Sequence, residues 1–305
     1  MADNNASSKA VLLEGGLVVD GSGGPSWPGD VLLQGDRIVA LGEGLRERLP
    51  QGFALADIDV VDCRAKVIAP GFIDAHTHDD AIVLRDPLCL PKVSQGITTV
   101  VTGNCGISLA PYRTPQSLPP LTLLGADSFR HASMAEYRAA VDATQPALNV
   151  AALVGHTTLR FAAMEALDRP ASAEELARME ALLDSCMADG AHGMSSGLFY
   201  EEAFAAPTEE VTALARVVAR HGGVYATHLR SEMQQIIEAL HEAGDCAFEA
   251  GVPLVISHHK CAGPANWGRT RETLPLIESF ARRQKIAMDV YPYVAGSTVL
   301  REDLV

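Results

Sequence analysis

The stretch that decides the fold is VIAPGFIDAHTHDD, residues 67–80. Its apolar first half is broken by a Pro-Gly pair and leads into a segment with β-strand character over residues 72–78, which we expect to be one strand. Alternate side chains of a strand share a face, so His76 and His78 would point in the same direction. Two imidazoles side by side at the end of a strand supply half of a metal site. For this pair alone, two surface or structural histidines remain an equal alternative.

From residue 67 onward the sequence alternates between predicted strands and predicted helices. The strand ends fall near residues 76, 105, 156, 196, 228, 258 and 290. Most are about thirty residues apart, which is the length of one strand-helix unit in a parallel sheet. Seven such units in a row, without a glycine-rich nucleotide fingerprint, predict an α/β fold of the TIM-type (β/α)8 barrel rather than an open sheet. Residue 305 comes shortly after the seventh strand, so we expect a barrel truncated before strand 8.

The first part of the chain has a different sequence pattern. Short β-prone runs separated by glycines extend from about residue 11 to residue 61, and Gly35-Asp36 indicates a tight hairpin turn. Such a segment is too small to form a robust domain alone, so we expect it to pack against other strands. The predicted organisation is a small β-domain over residues 1–66 and an incomplete barrel domain over residues 67–305.

Composition and charge argue against several classes of protein. The net charge of −14 disfavours nucleic-acid partners and anionic membrane surfaces, since both require clustered Lys and Arg. No apolar run reaches the roughly 18–20 residues that cross a bilayer, and the polar N-terminus has no signal-peptide pattern. The six cysteines are scattered without a CxxC pair, which favours reduced thiols and a cytoplasmic location.

Candidate metal ligands follow several of the predicted strands. The carboxyl ends of barrel strands meet at one face, where His76, His78, Cys105, His228 and His258 would gather. Imidazole and thiolate are ligands that suit zinc. Because this set is larger than one four-coordinate site requires, it favours a two-metal site, in which a thiolate can bridge the two ions. Chance placement of ligands at so many strand ends would be unusual.

Single residues have simpler explanations when each is considered alone. Cys105 could be a buried, inert thiol. His156, at another strand end, could be a structural residue that only makes hydrogen bonds. His259 must point to the opposite face of its strand from His258, so at most one of these two histidines faces the barrel interior.

Several motifs together resemble those of one family. The chain resembles the N-acyl-D-amino-acid deacylases (D-aminoacylases), a branch of the amidohydrolase superfamily, in the segments PGFIDAHTHDD, TTVVTGNCG, GMSSGLFY, THLRSE, ISHHKCAGPANWG and DVYPYVAGST. The His-x-His pair marks only the superfamily. The cysteine-containing turn and the last two segments are far more specific.

The resemblance implies a set of metal ligands. In that family one zinc is bound tightly by a cysteine and two histidines, which correspond here to Cys105, His228 and His258. His76 and His78 would form a second, weaker metal position. The carboxylated lysine that usually bridges the metals in the superfamily is not expected, since the cysteine takes its place.

The resemblance also implies substrate contacts. Lys260 and Tyr291, and less directly Ser297 and Thr298, would hold the carboxylate and carbonyl of the substrate. Lys260 lies two residues after His258 and would share its face of the strand. The family's catalytic aspartate follows strand 8 and is therefore expected beyond this chain. The N-terminal strands would form one part of a β-sandwich whose other strands also lie beyond it.

The sequence thus predicts a zinc-dependent hydrolase that cleaves the linear amide of N-acyl-D-amino acids to a D-amino acid and a carboxylate. The partner would be a small molecule, whose carboxylate Lys260 and Arg230 would meet; its side chain stays open between hydrophobic, D-Asp and D-Glu. One alternative is a cyclic-amide hydrolase of the dihydroorotase or hydantoinase type. That class uses a carboxylated lysine on strand four, where this sequence has Ser195-Ser196. The other alternative is an inactive, truncated zinc-binding fragment.

Overall fold

The computed structural model describes residues 9–116, 118–125 and 128–298. The chain divides into two compact units, residues 1–71 and residues 72–305. The division falls at residue 71 rather than at the predicted residue 66, because a short strand at residues 67–68 pairs with the first strand of the chain.

The first unit is a five-stranded sheet. Its strands are β1 (Ala10–Val18), β2 (Trp27–Gln34), β3 (Arg37–Gly42), β4 (Ile58–Asp62) and β5 (Val67–Ile68). The order is β3-β2-β1-β4, and β5 also pairs with β1. Gln34 faces Arg37 across Gly35-Asp36, so the predicted hairpin turn is confirmed. Leu12 and Leu32, on neighbouring strands, are fully buried and form the centre of its core.

The second unit is built on a seven-stranded parallel sheet. Its strands are β6 (Phe72–Asp74), β7 (Ile97–Thr102), β10 (Asn149–Gly155), β11 (Gly193–Gly197), β12 (Val224–His228), β13 (Leu254–Ile256) and β14 (Ile286–Met288). Each strand pairs in parallel with the one before it, so the order in the sheet is the order in the chain. A separate hairpin joins β8 (Tyr112–Arg113) to β9 (Arg130–His131). The sheet is curled, since His76 after β6 touches Asp289 after β14.

Helices connect the successive strands of this sheet. They are α1 (Ile82–Arg85), α2 (Leu90–Val93), α3 (Met134–Thr144), α4 (His156–Ala163), α5 (Ala173–Ala188), α6 (Glu201–Phe204), α7 (Thr208–Arg220), α8 (Ile236–Ala250) and α9 (Thr270–Ala281). The longer helices are amphipathic and bury one apolar face; in α7 this face includes Leu214 and Val218. In the described part of the chain, no helix combines the length and the apolar composition that crossing a bilayer requires.

The strand predicted over residues 72–78 is shorter than expected, because β6 ends at Asp74. The backbone N–H of His76 points toward the carboxylate of Asp74, at 3.4 Å, and not into the sheet. His76 and His78 therefore lie in the loop after the strand. Their common orientation does not come from strand alternation, and that part of the prediction was wrong.

Candidate metal centre

The His-x-His segment is anchored through its central residue. The backbone N–H and the hydroxyl of Thr77 both donate to the carbonyl oxygen of Val101 in β7, at 3.1 and 2.9 Å. This pair of hydrogen bonds fixes the loop beside the neighbouring strand. The rings of His76 and His78, on either side of Thr77, meet edge to face with 5.7 Å between their centroids.

Cys105 lies in a tight turn after β7 and is buried. Its φ of +54° and that of Gly103, +75°, are in the left-handed region, which a non-glycine residue adopts only at a cost. A Cβ atom at Gly103 would lie 2.1 Å from the carbonyl oxygen of Leu153, so only glycine fits there. Ser195 of β11 holds the turn, since its hydroxyl donates to the carbonyl of Gly103 and accepts from the N–H of Gly106.

The other two predicted ligands follow neighbouring strands. His228 is the last residue of β12, and its buried ring stacks on Phe199 with 5.2 Å between centroids. His258 follows β13 and has a φ of +35°, a second strained backbone at this site. Its N–H donates to Oδ1 of Asp289 at 2.7 Å, which holds this conformation.

The four predicted histidine ligands gather around the sulfur of Cys105. The Sγ atom is 3.3 Å from Nε2 of His76 and 3.4 Å from Nε2 of His258. Within the described ranges, two groups have ligand atoms within 4.8 Å of one another: His76, His78 and Cys105, and Cys105, His228 and His258. The two groups share the sulfur, which is the arrangement that a bridging thiolate requires.

The chemistry of these side chains fits a transition metal such as zinc. Both ring nitrogens of His228 and the Nδ1 atom of His78 are buried and have no hydrogen-bond partner among the residues that the structure describes. Burial, reinforced by nearby histidines, lowers the pKa of His78 to about 4. Burial is also the main cause that lowers the pKa of His228 to about 3. Both imidazoles are therefore neutral near pH 7, with lone pairs free to bind a cation.

Without a cation, the same environment keeps the thiol protonated. Burial raises the pKa of Cys105 far above its usual range, and the negative charges of Glu232 and Asp289 raise it further. A bound cation would oppose both effects, because it stabilises a thiolate directly. The buried sulfur, the unpartnered imidazoles and the nearby carboxylates together form a site that is electrostatically complete only with a cation.

Two carboxylates support the ligands, and the sequence analysis did not assign either of them. Oε1 of Glu232 is 2.8 Å from Nδ1 of His258, and Oδ2 of Asp289 is 3.3 Å from Nδ1 of His76. Each of these histidines thus turns Nε2 toward Cys105 and Nδ1 toward a carboxylate, which is how protein metal sites commonly orient imidazoles. The signals available were a glutamate four residues after His228 and an aspartate at a strand end.

The histidines also act on these carboxylates. Burial acts to raise the pKa of Glu232, but His258, His228 and Lys260 outweigh it and lower that pKa to about 2. Burial likewise opposes ionisation of Asp289, and its contacts with His76 and His258 nevertheless lower its pKa. Both groups are therefore negative at neutral pH and balance part of the charge that a metal ion would bring.

The predicted substrate residues lie around the cluster. A cavity of about 660 Å³ opens beside it and is lined in part by His76, His78, His258, Asp289, Tyr291 and Ser297. Nζ of Lys260 is 5.5 Å from the centre of the Tyr291 ring and 2.6 Å from Oε2 of Glu232. The hydroxyl of Thr298 is 3.5 Å from that of Tyr200.

The structure corrects the prediction that Arg230 contacts the substrate. Its guanidinium forms an ion pair with Glu242 of α8 at 2.7 Å. It also donates to the carbonyl oxygens of Phe204 and Ala206, at 2.6 and 2.9 Å. With its donors engaged in this way, Arg230 fastens the α6–α7 connection to α8.

The structure decides between the alternatives left open for two other histidines. His156 is fully buried, and its Nε2 atom is 2.9 Å from Oε1 of Glu210 in α7, so it is a structural residue. His259 turns away from His258, and its Nε2 atom is 2.8 Å from the hydroxyl of Thr273 in α9. The predicted opposite orientation of the two neighbours is confirmed.

The fold and the cluster together define a class: an α/β protein with a candidate metal centre at the carboxyl ends of a curled parallel sheet. Comparison with protein-family models gives a match over residues 59–288 to the model described as the amidohydrolase family. That match spans most of the chain, and the chain belongs to the amidohydrolase family.

Individual relatives are similar over nearly the whole chain. A D-aminoacylase of Alcaligenes xylosoxydans xylosoxydans is 48% identical over 306 residues, which is 100% of this chain and 62% of that protein. A crystal structure of D-aminoacylase superimposes with a TM-score of 0.90 at 48% identity, covering 97% of this chain and 61% of that one. A further similar structure is an N-acyl-D-glutamate deacylase from Bordetella bronchiseptica, solved with zinc and a phosphonate that mimics the tetrahedral intermediate. It superimposes with a TM-score of 0.86 at 40% identity, covering 93% of this chain and 58% of that one. This chain thus spans about three-fifths of the length of these relatives.

Proposed function

We propose that this chain belongs to a zinc-dependent hydrolase that cleaves the linear amide of N-acyl-D-amino acids to a D-amino acid and a carboxylate. The observation that carries the proposal is the pair of ligand groups that share the sulfur of Cys105. The D-aminoacylase and the zinc-containing N-acyl-D-glutamate deacylase described above support the same substrate class.

The residues at the cluster would hold one tight and one weaker metal ion. Cys105, His228 and His258 form the tight position, because the first two are buried and the third has Nε2 beside the sulfur of Cys105 and Nδ1 beside the carboxylate of Glu232. His76 and His78 form the weaker position, which is closer to the open cavity. Zinc bound here supplies a Lewis acid that activates water and polarises the amide carbonyl.

The remaining site residues would bind and orient the substrate. The ammonium of Lys260 is placed to attract the substrate's carboxylate, and the ring of Tyr291 beside it limits where that carboxylate can lie. Ser297, in the wall of the cavity, offers a hydroxyl donor for the carboxylate or carbonyl. Thr298, which contacts Tyr200, would help to shape the same wall.

The general base is proposed to lie beyond residue 305, after an eighth strand. In the described part of the chain, the two carboxylates that contact the ligand histidines, Glu232 and Asp289, are engaged by those histidines. The family resemblance supports a catalytic aspartate after strand 8, which would take a proton from the attacking water and give it to the leaving amine.

We also propose that this strand closes a TIM-type (β/α)8 barrel. The two edge strands, β6 and β14, leave large apolar side chains exposed: Phe72 by 63%, Ile73 by 66% and Met288 by 43%. An eighth strand paired to both edges would cover such side chains and satisfy the free backbone groups. In the first unit, exposed Ile38 and Leu41 on β3 support completion of its sheet as a small β-sandwich.

The two alternatives make different demands on the site. A cyclic-amide hydrolase of the dihydroorotase or hydantoinase type requires a carboxylated lysine on the fourth strand. Here β11 carries Ser195, which holds the Cys105 turn, and Ser196, which bonds to Tyr225 and Thr227. An inactive zinc-binding fragment would bind the metal and never turn over substrate.

The cytoplasmic location stays a prediction, to which the six unpaired cysteines are suited.

The experiment that tests the proposal is the zinc content of the purified chain and of its Cys105→Ala variant. We expect about one tightly held zinc to be lost on substitution. Cys186→Ala, which removes another buried thiol, is the matched control and should keep its zinc. Hydrolysis of N-acetyl-D-methionine and of its L enantiomer, by a chain extended through strand 8, tests the substrate class. Zinc content unchanged in Cys105→Ala would refute the proposed centre, and preference for the L enantiomer would refute the substrate class.

A further inference from the structure

Glu232 lies between two residues that the proposed function assigns to different tasks. Its Oε1 atom is 2.8 Å from Nδ1 of His258, a proposed metal ligand, and its Oε2 atom is 2.6 Å from Nζ of Lys260, a proposed substrate contact. The carboxylate side chain is only 10% exposed. The backbone carbonyl of Glu232 accepts from the N–H of Ala262 at 2.7 Å, so the same residue also holds the loop that carries Lys260.

Nδ1 of His258 has two neighbours that require opposite hydrogen positions. The ammonium of Lys260, 3.0 Å away, can only donate to it, whereas the carboxylate of Glu232 can only accept from it. With the imidazole hydrogen on Nε2, Nδ1 accepts from Lys260, and Oε1 of Glu232 is left without a hydrogen-bond donor. With the hydrogen on Nδ1, the imidazole donates to Glu232, and Lys260 must direct that N–H elsewhere.

A metal ion on Nε2 of His258 permits only the second arrangement. The lone pair of Nε2 is then used by the metal, so the neutral ring carries its hydrogen on Nδ1. Lys260 keeps its ion pair with Oε2 of Glu232 and its hydrogen bond to the carbonyl oxygen of His258, at 3.1 Å. Its third N–H becomes available for an anionic group in the cavity.

From this geometry we propose that Glu232 is a positioning residue that couples metal occupancy at His258 to the hydrogen-bonding state of Lys260. The inference rests on the proposed function for the identity of the anion, which is the carboxylate of the N-acyl-D-amino acid. In this proposal Glu232 acts through His258 and Lys260 rather than on the metal or the substrate directly: it accepts the hydrogen that metal binding moves to Nδ1 and thereby helps to free a donor on Lys260. The substrate's carboxylate is then held more firmly when the metal is present.

The test uses Co²⁺ as the metal probe and N-acetyl-D-methionine as the carboxylate probe. Co²⁺ affinity is measured by competition with a chelator for the parent chain, Glu232→Gln and the control Glu242→Gln. Glu242 is a similarly shielded carboxylate, 17% exposed, whose partner is Arg230 rather than a metal ligand. The dissociation constant of N-acetyl-D-methionine is measured for the chain and for its Lys260→Ala variant, and the ratio of the two values is the contribution of Lys260 to binding. This ratio is determined once with Co²⁺ bound and once without it.

We expect Glu232→Gln to weaken Co²⁺ binding roughly 10–100-fold, as for other groups that orient metal-bound histidines, while Glu242→Gln leaves it unchanged. In the parent chain, the contribution of Lys260 should rise at least about fivefold on Co²⁺ loading. In Glu232→Gln this rise should be smaller, because a single amide oxygen cannot accept from both Nδ1 of His258 and Nζ of Lys260 as the two carboxylate oxygens do. A merely structural role for Glu232 would lower thermal stability without reducing this dependence.

Two results would overturn the inference: Co²⁺ affinity unchanged in folded Glu232→Gln, or a contribution of Lys260 that ignores Co²⁺ in the parent chain. If Glu232→Gln does not fold, Glu232→Asp replaces it, since a carboxylate shortened by one methylene cannot reach both His258 and Lys260. Cys105→Ala separates this inference from the proposed function. Tight Co²⁺ binding that survives Cys105→Ala refutes the metal centre itself; binding lost there but intact in Glu232→Gln refutes only the coupling.

Discussion

Oδ2 of Asp289 lies 3.3 Å from Nδ1 of His76, although the two residues are 213 positions apart and follow opposite edge strands of the sheet. The other oxygen of the same carboxylate accepts the N–H of His258 at 2.7 Å. This one side chain thus connects the carboxyl ends of β6, β13 and β14. It joins the two proposed metal positions, because His76 belongs to one and His258 to the other.

We expect Asp289→Asn to weaken the metal position at His76 and His78. An asparagine can still accept from the N–H of His258 through its oxygen, but its NH₂ group then faces Nδ1 of His76. That contact favours the imidazole hydrogen on Nε2, where it blocks metal binding. The expected loss is about 10–100-fold in affinity for the second ion, measured as bound zinc against graded free zinc.

The control for this substitution is Asp245→Asn. Asp245 forms an ion pair with Arg283 on the surface, so its loss removes the same charge without touching the site. We expect its zinc isotherm to match that of the parent chain. Unchanged affinity for the second ion in Asp289→Asn would mean that His76 does not depend on this carboxylate.

Gly103→Ala should destabilise the chain through the turn that presents Cys105. The added Cβ would lie 2.1 Å from the carbonyl oxygen of Leu153, and φ at this position is +75°. The combination of backbone strain and overlap predicts a loss of about 2–4 kcal/mol in the free energy of unfolding. Urea denaturation at neutral pH measures this loss.

Gly251→Ala separates the two causes. Gly251 ends α8 with a φ of +71°, but a Cβ there would meet no atom of the described part of the chain within 4 Å. Only the conformational cost remains, about 1 kcal/mol. Equal losses in the two variants would show that the close approach of Leu153 is unimportant.

The buried network of Glu210, His156 and Arg160 predicts loss of stability in acid. Burial alone would raise the pKa of Glu210, but His156 and Arg160 outweigh it and lower that pKa to about 2. A carboxylate with a lowered folded-state pKa stabilises fully above its unfolded value, about 4.5. That contribution, on the order of a few kcal/mol, is lost as pH falls from there toward 2.

His156 acts in the same direction at higher pH. Burial is the main cause that lowers its pKa, so the folded chain binds fewer protons at this residue than the unfolded chain once the pH falls below about 6.5. We expect Glu210→Gln to be less stable at pH 7 and to show a flatter decline of melting temperature between pH 5 and pH 3. Glu249→Gln, in an exposed pair with Arg216, should retain the parental slope. A parental slope in Glu210→Gln would assign acid unfolding to other groups.

Arg230→Ala should lower stability and leave the metal centre intact. The substitution removes the guanidinium from the carboxylate of Glu242, which keeps the hydroxyl of Thr208 as a donor, and takes the same donor away from the carbonyl oxygens of Phe204 and Ala206. The expected loss is about 2–3 kcal/mol in the free energy of unfolding. Zinc content should match the parent chain.

Arg216→Ala provides the comparison for an exposed ion pair. Its partner is Glu249, and both side chains are largely solvated, so the expected loss is below about 1 kcal/mol. Loss of zinc from Arg230→Ala would show that the metal centre depends on the contacts of Arg230 with Glu242, Phe204 and Ala206.

Much of the candidate site follows from local sequence. Ligand residues at or just after successive predicted strands identify His76, His78, Cys105, His228 and His258, because parallel strands bring their carboxyl ends to one edge. The alternation of strands and helices likewise indicates the parallel sheet. These features depend on spacing within one strand-helix unit, and a single sequence displays that spacing directly.

The residues that support those candidate ligands could not be predicted from local sequence. Glu232, Asp289 and Ser195 support the cluster, and Arg230 does not, yet nothing in the local sequence separates these four. The length of β6 was also misjudged, since a side-chain contact of Asp74 takes the backbone out of the sheet. Each of these outcomes is set by which atoms meet once the chain has folded.

The sequence by itself determined the order of the strands and the kinds of candidate ligand near their ends, because hydrophobic pattern and residue type are properties of short segments. Only the tertiary structure decided that His76 turns Nδ1 to Asp289, that His258 turns Nδ1 to Glu232, and that both turn Nε2 to Cys105. Those choices depend on the curling of the sheet, which brings together side chains that are far apart in the chain.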